Sequence, residues 1–166
     1  MTTLGFAILL LLSLFGYWLN RRAAQAIRRD GTRLHSLSGY HGLYSFLSIL
    51  VPVFVLTIVW LTLQGSVVDN IVMGGLPNGV VDGLGTGQRQ LILAEIRSLS
   101  RGQTFGTPED WKIVAAERLN LLQAIASMML IAIVAIGGLA LLLFARRRVA
   151  ASFRARQGVE QIVSGL

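Results

Sequence analysis

His35 and His41 flank Tyr40 and are the only two histidines in the chain. Imidazoles at short spacing can hold a transition metal or pass a proton, but a metal needs further ligands and acid–base work needs an oriented partner. Neither a third histidine nor a carboxylate pair accompanies them. Gly83-Leu84-Gly85-Thr86-Gly87 suggests a different chemistry, a glycine turn that cradles phosphate. The dinucleotide fingerprint needs a third glycine at fixed spacing and the P-loop needs a following Lys-Ser/Thr, and both are missing. A flexible loop is expected there. The chain has no cysteine, which excludes disulfides, zinc thiolates and thiol nucleophiles. Its acids between residues 64 and 120 (Asp69, Asp82, Glu95, Glu109, Asp110 and Glu117) are scattered and suit a solvated surface. The residues therefore predict no catalytic site, no metal and no cofactor, and an enzyme is not expected.

Hydrophobic residues make up 54% of the chain and charged residues 14%, against about 25% charged in soluble domains. So small a globule cannot hide that much apolar surface, because its surface-to-volume ratio is too high. Lipid is the solvent that removes the difficulty. The net charge is +7, from 15 Lys+Arg against 8 Asp+Glu. The arginines lie in clusters beside apolar runs, which suits membrane lipids as partner and argues against nucleic acid.

Three apolar runs predict an all-α fold: a membrane helical bundle with three transmembrane helices and a Gly-rich, partly helical outer loop. The first run, Thr2–Leu19, carries no charge and is just long enough to cross a core that takes about 20 residues. It lacks a basic n-region, and its one A-x-A-like site, Ala24-Gln25-Ala26, lies beyond Arg21 and Arg22, so an uncleaved anchor is expected. The second run, Gly42–Leu63, contains Pro52, a plausible kink, with Tyr40, Tyr44 and Trp60 placed as interfacial aromatics. The third lies between Arg118 and Arg146. Its Leu, Ile, Val and Phe residues from Leu121 to Phe144 favour insertion by roughly 4–8 kcal/mol. No ionisable side chain falls inside any run, so the usual mark of an ion or proton pathway is missing.

The expected divisions are residues 1–64, with two spans and an Arg-rich cytoplasmic loop (20–41); an outer loop, 65–120; the third span, 121–145; and a basic tail, 146–166. Arg21, Arg22, Arg28, Arg29 and Arg33 face Asp30 alone in the first loop, and Arg146, Arg147, Arg148, Arg154 and Arg156 face Glu160 alone in the tail. Both clusters are topology signals that can also meet anionic lipid. The positive-inside rule puts them in the cytoplasm and the N-terminus outside, a multi-pass arrangement. The outer loop carries turn pairs such as Gly74-Gly75 and Asp82-Gly83 in its first half, where a packed core is not expected. A short amphipathic helix is expected over 88–100, with Leu91, Ile92, Ile96 and Leu99 on one side. Thr107, Pro108, Glu109 and Asp110 mark a further helix start, over 108–120, running into the third span. Gly137-Gly138 could allow close helix approach.

The stretch Arg33-Leu34-His35-Ser36-Leu37-Ser38-Gly39-Tyr40-His41-Gly42-Leu43-Tyr44 resembles a segment of PstC-type permease subunits of bacterial phosphate ABC importers with a long N-terminus. Phe153-Arg154-Ala155-Arg156-Gln157-Gly158-Val159-Glu160 is similar to the stretch that precedes their transport core. The order of anchor, Arg-rich loop, second span, Gly-rich outer loop, third span and tail agrees along essentially the whole chain. The resemblance implies a bacterial inner-membrane location and three partners: a PstA-type permease, an ATPase subunit and an external phosphate-binding protein. It also implies that the transport core lies beyond Leu166, so no translocation role falls on residues here. The expected role is assembly, anchoring or contact with the binding protein. A small membrane scaffold and a membrane sensor are the alternatives.

Overall fold

A computed structural model describes residues 2–29, 37–77, 79–104, 106–149 and 154–166. Its helices are α1 (Thr2–Arg29), α2 (Ser38–Met73), α3 (Thr86–Ser100), α4 (Asp110–Arg147) and α5 (Ala155–Ser164). The described residues include no strand. Helices α1, α2 and α4 are long and apolar enough to cross a membrane, so the chain is an all-α membrane protein. It divides into two compact units, Met1–Ile58 with Met129–Leu166, and Val59–Met128.

In the first unit α1 turns a seam of Gly5, Leu9, Ser13, Gly16, Asn20 and Ala24 inward. These follow one another at three- and four-residue steps, so they share a face of the helix, and most are small. Lipid gives no hydrophobic drive between helices, so close backbone approach must come from such residues. A Cβ at Gly16 would lie 2.6 Å from Ile49 Cδ1, 3.0 Å from Ser45 Oγ and 3.1 Å from Leu142 Cδ1. Helices α1, α2 and α4 therefore converge at Gly16. Of the Gly137-Gly138 pair, Gly138 is the tight one, with Leu12 Cδ1 2.8 Å from its missing Cβ. Ser13 and Thr57 donate to Leu9 O and Val53 O, each at 2.8 Å, which satisfies hydroxyls that lipid could not. Leu11, Phe54, Val55, Ile136 and Leu143 stay exposed, as lipid-facing side chains do. The chain remains helical across Pro52.

The second unit has a core that the turn-rich composition of its first half does not predict. Val68, Val72, Ile96, Ala115, Ala116, Leu119 and Ala126 are buried together, with Trp60, Leu76, Ile92 and Trp111 packed on them. The reason is that α2 does not end at Leu63: Val68 and Val72, one turn apart, continue its apolar stripe to Met73. Only Gly74 and Gly75 begin the turn. Of the residues expected on one side of α3, Ile92, Ile96 and Leu99 enter this core, while Leu91 is 70% exposed. Helix α3 therefore packs on α2 and α4 within the unit. It closes with a Schellman motif, Gly102 N donating to Leu99 O (2.9 Å) and Gln103 N to Ser98 O (3.0 Å). Gly102 has φ 76°, a conformation that favours glycine.

Helix α4 starts later than Thr107 and Pro108 suggest. The amides of Lys112 and Ile113 both donate to Glu109 O, which puts the cap at Glu109. The glycine run 83–87 leads into a helix: Gly85 N donates to Gln88 Oε1 at 3.1 Å, and Thr86 opens α3.

Candidate functional site

Four arginines close the long helices: Arg28 and Arg29 on α1 and Arg146 and Arg147 on α4. Arg21 and Arg22 lie on α1, which runs on to Arg28 and Arg29 in its last turn. The first arginine cluster is thus largely helical; Asp30, Arg33, Leu34 and His35 lie outside the described residues. Arg146 and Arg147 end α4. Cations there complement the negative end of the helix dipole. Aromatic rings four residues earlier lie against three of the arginines. The guanidinium carbon of Arg22 is 3.9 Å from the Trp18 ring centre, that of Arg21 is 5.9 Å from Tyr17, and that of Arg148 is 4.7 Å from Phe144.

Gly39, Tyr40, Gly42, Leu43 and Tyr44 form the first turns of α2, where His41 is buried. A Cβ at Gly42 would fall 2.9 Å from the ring of Tyr17 and from its backbone oxygen. This glycine lets α2 lie against α1. After the fourth helix, Arg154 caps α5, and Ala155 and Val159 on that helix are buried. Arg156 Nε donates to Glu160 Oε1 at 2.8 Å. That bond, the charge of Glu160 and lastly Tyr40 hold the Arg156 guanidinium above its ordinary value. Phe153 lies outside the described residues.

The two family-like stretches, distant in sequence, therefore meet. Tyr44 shares a groove of about 420 Å³ with Arg148, Arg154, Gln157, Gly158 and Gln161. Residue spacing could not have paired them; the amphipathic step Ala155, Val159, Ile162 was the available signal for α5. No group of three potential metal ligands exists among the described residues. Two guanidinium groups with amide and phenol neighbours give the groove a cationic, donor-rich lining.

Some of the charge in the second unit is paired. Arg97 of α3 bridges to Asp69 of α2, and Lys112 reaches Glu95 at 2.9 Å and Glu109 at 3.4 Å. The Trp111 indole donates to Glu109 and is the main reason its carboxyl stays below the usual range. Exposed pairs of this sort contribute little stability; Arg97–Asp69 and Lys112–Glu95 tie α3 to α2 and α4. A cleft of about 270 Å³ opens beside Asp69 and Arg97, lined also by Gln64, Gln123 and Ser127.

A family model described as phosphate ATP-binding cassette transporter matches residues 6–166, which takes in nearly all of α1 and the four helices after it. No curated protein and no solved structure matches the chain.

Proposed function

The chain belongs to the phosphate ATP-binding cassette transporter family, and from that premise we propose that it is the N-terminal membrane region of a PstC-type permease subunit. The family match over 6–166 carries this reading. The region contributes to phosphate import by assembly and anchoring and does not itself form the pathway. Its outward apolar faces on α1, α2 and α4 suit lipid and the spans of a transport core. A PstA-type permease, an ATPase subunit and an external phosphate-binding protein are the partners this role calls for. The test removes codons 6–166 in frame from the coding sequence that carries them. Loss of phosphate uptake at normal levels of the partner subunits is expected; undiminished uptake would refute the role.

In this reading the membrane is the bacterial inner membrane. The arginine-bearing ends of α1 and α4 face the cytoplasm, while the N-terminus and residues 74–109 lie outside. The absence of cysteine makes the orientation directly measurable. Gln90→Cys on α3 is expected to react with a membrane-impermeant maleimide in intact cells, and Ser164→Cys on α5 only after permeabilisation. The reverse pattern would invert the topology.

A further inference from the structure

We propose that the groove between the first turns of α2, the end of α4 and the start of α5 binds a phosphate-bearing anion, supplied by a lipid headgroup or by free phosphate. The inference stands on the chain being a membrane protein and holds whether or not it assembles into an importer.

The lining is one-sided in charge. Arg148 and Arg154 contribute two cations, Gln157, Gln161 and Tyr44 contribute neutral polar groups, and none of the described lining residues is a carboxylate. Both arginines are exposed, and neither has a carboxylate partner among the described residues. The tail's one acid, Glu160, is spent on Arg156. Helical geometry places that pair on a different flank of α5 from Gln157, Gly158 and Gln161, since successive residues turn by about 100°. The cations in the groove are thus left uncompensated while their neighbour is neutralised.

Geometry favours an oxyanion over a diffuse countercharge. Arg148 lies over the Phe144 ring, which restrains the guanidinium while its N–H edges remain able to donate in the bidentate manner that phosphate accepts. The first turn of α5 has no side-chain cap. The positive dipole end of that helix adds to the attraction beside Arg154 and Gln157. A groove of about 420 Å³ falls within the usual range for small-ligand sites, about 300–1,000 Å³. Its place at the end of a membrane-crossing helix is where anionic headgroups lie.

The purified chain is incorporated into nanodiscs of phosphatidylcholine with a minor fraction of phosphatidylglycerol, and retained lipid is read by native mass spectrometry. In a second arm the chain, in uncharged detergent, is titrated calorimetrically with inorganic phosphate. The groove variant is Arg148→Gln with Arg154→Gln; the control, Arg21→Gln with Arg22→Gln, removes equal charge from α1. A further variant, Gln157→Ala with Gln161→Ala, keeps the charge and removes amide donors. Selective retention of phosphatidylglycerol, lost in the groove variant, weakened in the glutamine variant and kept in the control, identifies the headgroup. The same pattern in the titration identifies free phosphate. Absence of saturable binding in both arms, or equal loss in groove variant and control, would overturn the proposal.

Discussion

Gly42→Ala is expected to destabilise the packing of α1 against α2 by about 1–3 kcal/mol, the range for overpacking a tight contact. The added Cβ would sit 2.9 Å from two ring carbons of Tyr17 and 2.9 Å from its backbone oxygen. A ring can turn aside, but a carbonyl within a helix cannot, so the helices must separate. Gly39→Ala, three residues earlier on the same helix, is the control, because a Cβ there meets nothing within 4 Å. It gains helix propensity at no steric cost, and is expected to be neutral or mildly stabilising. Thermal unfolding in mild detergent separates the two. Equal behaviour would mean that α1 and α2 do not approach at this point.

Leu119→Ala is expected to cost more, about 2–5 kcal/mol, because it opens a cavity in a core too small to refill it. Leu119 is 0% exposed and packs among Val72, Ile96 and Ala116. Trp60 and Trp111 line the same cluster, so their emission reports the damage: it is expected to shift to the red and to unfold at lower denaturant. Leu121→Ala, 61% exposed on the same helix, is expected to change little. A Leu119→Ala protein with unchanged emission and midpoint would show that α3 is not packed on α2 and α4.

The three spans were legible because lipid demands continuous apolar runs, and nothing else in so short a chain explains them. Their ends were less so. A change in polarity marks where lipid stops, but backbone hydrogen bonds continue in water when an apolar stripe still finds a partner. That is why α2 runs on through Val68 and Val72 to Met73, and α1 through Arg21 and Arg22 to Arg29. The seam of Gly5, Ser13, Gly16 and Ala24 on α1 was not read from the sequence, because small residues say only that something could come close. Ile49, Ser45 and Leu142 are known as the neighbours only from the fold. The groove was least legible. Arg148 and Arg154 read as topology signals in a basic tail, and only the meeting of α5 with the start of α2 adds Tyr44 to them.

The central proposal is that this chain assembles with an importer's other subunits, and the family match and the outward apolar faces support it. Affinity purification tests it most directly, with a tag on the C-terminus, mild detergent, native membranes and mass spectrometry of the eluate. The predicted result is recovery of a second permease subunit of the PstA type together with its ATPase. Clean recovery of the chain without either would contradict assembly, and would leave the family match as a statement of ancestry.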